Sequence, residues 1–66
     1  MPKLTKTQKR DLSKYMSVYF PGKNYTVTYV HSDVWYKVIW FNLFIETTKI
    51  GMIVVDNGFM RIKLEK

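Results

Sequence analysis

At 66 residues the chain has material for one domain, near the lower limit at which a polypeptide folds alone and where roughly 60% of the unfolded surface becomes buried. It has no cysteine and a single histidine, His31, so neither a disulfide framework nor a metal site beyond a weak carboxylate one can reinforce it. The net charge is +6, of which Lys3, Lys6, Lys9, Arg10, Lys14 and Lys23 against Asp11 give +5 in Met1–Lys23, and five cations against four acids give +1 in the remainder.

That asymmetry points to an anionic partner, nucleic acid or a membrane surface, and equally fits a solvated helix face that keeps a small apolar domain soluble. The basic N-terminus is followed by no apolar run, and the longest apolar stretch is shorter than the ~20 residues that span a bilayer. With cysteine absent as well, the expectation is a soluble cytoplasmic protein with no membrane partner.

In chain order, the first predicted element is a helix over residues 5–20. Leu12, Tyr15, Met16, Tyr19 and Phe20 recur at the helical period and form one apolar stripe, expected to bury. Thr5 with Gln8 three residues later has the capping-box pattern, and Pro21-Gly22 ends the helix. Cations in the first turn oppose the helix dipole by about 0.3–1 kcal/mol each, a departure from local rules that favours a functional reason for them.

Residues 24–31 alternate as a strand, with Tyr25, Val27, Tyr29 and His31 on one face and Thr26, Thr28 and Val30 on the other. Ser32-Asp33 is the predicted turn into a strand over 34–41, part of a run from Val34 to Ile45 that is apolar at both parities. That turn places Tyr25 opposite Trp40, Val27 opposite Val38 and Tyr29 opposite Tyr36. A run of twelve residues at ~3.3 Å each would reach about 40 Å, too long for so small a domain, so a break or bend is expected near Asn42.

A further strand is predicted over 49–55. Asn57-Gly58 then accepts positive φ at both central positions of a hairpin turn and leads to the last strand, over 59–65. A two-residue loop there pairs Val55 with Met60, Ile53 with Ile62 and Gly51 with Leu64. Lys63 and Lys66 guard the last strand against edge pairing. The predicted fold is α+β, one amphipathic helix on a four-stranded antiparallel meander, with a small curled barrel plugged by the helix as the alternative.

The aromatic residues carry the strongest functional signal. Tyr25, Tyr29, Tyr36 and Trp40 are expected to share a sheet face, with Trp35 and Phe41 on the reverse, and one helix of ~24 Å covers only one side. Aromatics flanked by Lys37, Arg61 and Lys63 can stack bases while the cations neutralise phosphates, at about 1–3 kcal/mol per stacked base. The competing explanation is that aromatics supply the apolar area a tiny core needs. Trp35 and Trp40 would equally serve as anchors on a host protein, for an inhibitor or adaptor of the kind phages and mobile elements encode, or on a second copy of the chain.

Catalysis has little to build on. His31 beside Tyr29, Tyr36 or a lysine resembles a minimal general base for ribonucleolysis, yet a histidine next to Ser32-Asp33 is also an ordinary turn residue. No cofactor, metal cluster or small-molecule substrate is expected, and the three glycines are isolated from one another. The sequence therefore predicts a non-catalytic binding protein for nucleic acid or a nucleoprotein complex.

Overall fold

The computed structural model describes residues 2–65 and contains one helix, α1 (Lys6–Tyr19), followed by β1 (Tyr25–Asp33), β2 (Val38–Ile45), β3 (Thr48–Asp56) and β4 (Phe59–Leu64). The four strands form a single antiparallel sheet in the order β1-β2-β3-β4, with α1 on one side. β1 and β4 are its edges, so the meander stays open and the barrel alternative does not hold. Among the described residues no helix is long and apolar enough to cross a membrane.

The ends of α1 follow the sequence signals. Gln8 N–H donates to Thr5 Oγ1 at 3.2 Å and Thr5 N–H donates to Gln8 Oε1 at 2.9 Å, which satisfies two of the orphan donors of the first turn. Phe20 closes the other end by donating to the Met16 carbonyl, and Gly22 takes a φ of 74° in the reversal. Gln8 also reaches beyond the helix, since its Nε2 donates to the Gly58 carbonyl at 3.2 Å and ties the start of α1 to the β3–β4 turn.

The core lies between α1 and the inner sheet face. Leu12 and Met16 of α1 meet Phe41 and Leu43 of β2 and Ile53 and Val55 of β3, and Leu4, ahead of the helix, is buried with them. Tyr15 and Phe20 pack at the margin. Tyr19 departs from the expected stripe: it is 63% exposed and lies against Tyr15, ring centroids 4.6 Å apart.

The β3–β4 hairpin has the predicted register, with Val55 paired to Met60, Ile53 to Ile62 and Gly51 to Leu64. Asn57 and Gly58 both have positive φ, 50° and 87°. The β1–β2 hairpin differs. Its turn is Val34–Lys37, not Ser32-Asp33, so Tyr25 pairs with Ile45, Val27 with Leu43 and Tyr29 with Phe41. An odd shift of five residues inverts the relation between the faces. β2 does not break at Asn42, because it starts at Val38 and its eight residues all ladder with β1, and the irregularity near that point is a register shift between Leu43 and Phe44 in the ladder with β3, where Ile50 is the extra residue. A loop at Ser32-Asp33 would have left Phe41 to Ile45 without β1 partners.

Asp33 builds the observed turn, its Oδ1 accepting from the backbone N–H of Trp35 at 3.0 Å and of Tyr36 at 3.2 Å. Lys37 completes it at φ 54°. A register shift between Tyr29 and His31 then moves His31 off the face it was expected to share with Tyr25, Val27 and Tyr29.

Candidate functional site

The two-layer architecture sorts the predicted residues onto different surfaces. Register places Tyr25 and Tyr29 on the inner, helix-facing side with Phe41, and Trp40 on the outer side; Trp35 and Tyr36 belong to neither face, being in the β1–β2 turn. The single aromatic face of Tyr25, Tyr29, Tyr36 and Trp40 is therefore split three ways. All nine predicted cations, Lys3, Lys6, Lys9, Arg10, Lys14, Lys23, Lys37, Arg61 and Lys63, are exposed. The one ion pair among the described residues is Lys49–Glu65, at 3.1 Å, and it uses none of the nine. Lys66 lies outside the described residues.

The outer face is the uncovered one. Across it run the rows His31–Trp40–Val54–Arg61 and Thr28–Asn42–Met52–Lys63, so apolar groups of the central strands are bordered by cations on β4. His31 stacks on Trp40 with centroids 5.2 Å apart and an interplanar angle of 21°. Tyr29, its expected neighbour in a nuclease-like arrangement, is on the other face, where its hydroxyl shares a 2.8 Å hydrogen bond with Ser32 Oγ. Tyr36 is engaged through its backbone in the turn. Among the described residues no three side chains of the His, Cys, Asp and Glu types gather as a metal would require.

One end of the sheet carries an apolar tip. Val34, Trp35 and Tyr36 project from the β1–β2 turn, Trp35 at 94% exposure, and Phe59 is exposed in the adjoining row Asp33–Val38–Asp56–Phe59. The two turns at this end are linked by Asn57 N–H, which donates to the Lys37 carbonyl at 3.0 Å. Gln8 adds the beginning of α1 to the same end.

Cations and aromatics do come together on the helix side. A groove of about 530 Å³ has Tyr25, Val27 and Tyr29 of β1 and Phe41 of β2 along one wall. Leu4 and Leu12 contribute to the opposite wall, and Lys3 and Lys9 line it with no carboxylate among the described residues. Tyr29 meets Phe41 edge to face, centroids 6.2 Å apart, so that ring is held in place. No protein-family model matches the chain, and no curated protein or solved structure matches it.

Sequence reasoning missed Leu4, an isolated apolar residue ahead of the helix, and with it the wall that the N-terminal arm adds to the groove. It also missed the apolar tip, since Val34-Trp35-Tyr36 has the composition of a strand.

Proposed function

We propose that this protein is a non-catalytic binder of nucleic acid, alone or within a nucleoprotein complex, and that the arm and α1 provide the contact. The observation that carries this reading is the basic helix layer: Lys3, Lys6, Lys9, Arg10 and Lys14 are exposed, none is in an ion pair with another of the described residues, and Asp11 is the one acid among them. Exposed cations of this kind are available to displace counterions from phosphate. The apolar side of α1 is occupied by the sheet, so its basic side is the one presented to solvent.

The test is binding of mixed-sequence DNA and RNA across a salt series. Affinity falls by roughly 0.7–0.9 log units per log unit of salt for each phosphate neutralised. The combined change of Lys6, Lys9, Arg10 and Lys14 to Gln abolishes binding while the melting transition is kept. Absence of binding at low salt refutes the reading.

Trp35, almost wholly exposed, favours a second reading in which the tip anchors on a protein. Under it Trp35→Ala weakens that complex by more than ~2 kcal/mol and leaves oligonucleotide affinity unchanged.

A further inference from the structure

The groove between the arm, α1 and β1 has a composition that the basic helix surface alone does not explain. Phosphate neutralisation needs charge at a solvated surface, and it needs neither an apolar recess nor aromatic walls. Here Lys3 and Lys9 line a recess whose β1 wall carries Tyr25 and Tyr29 on the same face, four residues apart, or about 13 Å at ~3.3 Å per residue. Its volume of about 530 Å³ lies within the ~300–1,000 Å³ usual for ligand pockets. Two cations and no carboxylate select an anion. Tyrosine rings beside Val27 and Phe41 select a flat, weakly polar body attached to it. A nucleotide combines both features, with its base to stack and its phosphate to pair.

We propose that the groove takes one unstacked nucleotide of a single-stranded nucleic acid, its base against Tyr25 or Tyr29 and its phosphate at Lys3 and Lys9. The assignment rests on the nucleic-acid reading above and makes it specific for single strands. In a duplex the bases are already paired and stacked, so entry requires an unfavourable extrusion step. The duplex is held by the lysines of the helix surface and leaves the groove empty.

Fluorescence anisotropy with a labelled oligothymidylate and a labelled duplex of equal length tests this. The single strand binds more tightly, and Tyr25→Leu or Tyr29→Leu, each of which keeps an apolar side chain and removes the ring, lowers single-strand affinity by about 5–150-fold, the equivalent of one stacked base. Duplex affinity stays the same. Equal affinities that neither Tyr25→Leu nor Tyr29→Leu changes overturn the groove assignment and leave the wider reading standing; no binding of either probe at low salt removes both. In case the variant does not fold, thymidine 5′-monophosphate is titrated into the unaltered protein and the tyrosine ring protons are followed by NMR. Upfield shifts of Tyr25 or Tyr29 are expected. Shifts confined to lysine signals, or tyrosine shifts produced by laurate and not by the nucleotide, assign the groove elsewhere and overturn the proposal.

Discussion

Single positions differ sharply in what they contribute to folding, and Leu43, Trp35 and Gly51 make the contrast measurable. Leu43 is fully buried beneath α1, so Leu43→Ala removes core volume and costs about 2–5 kcal/mol in chemical denaturation. Trp35 is exposed in its turn and joined there through its backbone N–H, so Trp35→Ala shifts the same measurement by no more than about 0.5 kcal/mol. Gly51 is a case that composition hides. Its φ is ordinary, but a Cβ there would run into the Lys63 carbonyl oxygen and come within 2.8 Å of Leu64 Cα, because β3 and β4 approach closely at that pair. Both obstacles are backbone, which cannot rotate aside as a flexible side chain would. Gly51→Ala is expected to lower stability by about 1–3 kcal/mol, the range for overpacking, whereas Gly51→Ala with unchanged denaturation would mean that β4 separates easily from β3.

Among the elements, the β1–β2 turn stores backbone strain, as does the turn between β2 and β3. Lys37 at φ 54° in the first and Glu46 at φ 55° in the second adopt the left-handed region without being glycine or asparagine, the residue types that usually occupy it. Replacing Lys37 by Gly relieves about 1–2 kcal/mol of local strain and loses about 0.5–1 kcal/mol to the entropy of the unfolded chain. The expected result is a gain of up to about 1.5 kcal/mol by denaturation, and a loss would show that the Lys37 side chain packs usefully. The same β1–β2 turn explains what could be read in advance. The ends of α1 were legible because Thr5, Gln8 and Pro21-Gly22 act through local chemistry, and the β3–β4 register was legible because Asn57-Gly58 admits few turn geometries. The β1–β2 turn was hidden because its first three residues prefer strands and the turn-forming signal sits just before them, in Asp33. What decides the register is tertiary: eight ladder pairs for β2 and an inner face of Ile39, Phe41, Leu43 and Ile45 under the helix. Misplacing that turn also separated Trp40 from Tyr25 and Tyr29, since an odd shift exchanges the two sides of a strand, and put Tyr36 on a strand when it belongs to the turn itself.

At the scale of the whole molecule, one helix on four strands leaves the sheet covered on one side only, and the shortage of covering residues evident from the chain length becomes the bare outer face with Trp40, Phe44, Met52 and Val54. A second copy laid on this face would complete a sandwich, and area decides against it as a tight assembly. Four strands at ~4.8 Å and eight residues at ~3.3 Å give a face of about 500 Å², or about 1,000 Å² for two copies, below the ~1,200–2,000 Å² of stable interfaces. Arg61 and Lys63 border the face and would bring like charge into it, which raises the cost further. Sedimentation equilibrium at micromolar concentration should therefore find a monomer, with self-association confined to far higher concentration and strengthened by salt that screens the cations. A dimer already complete at micromolar concentration would mean that the apolar tip with Trp35, Tyr36 and Phe59 joins the interface, since only a surface larger than the bare face supplies the missing area. In that event Trp35→Ala would return the protein to a monomer, and the tip would be accounted for by the chain itself.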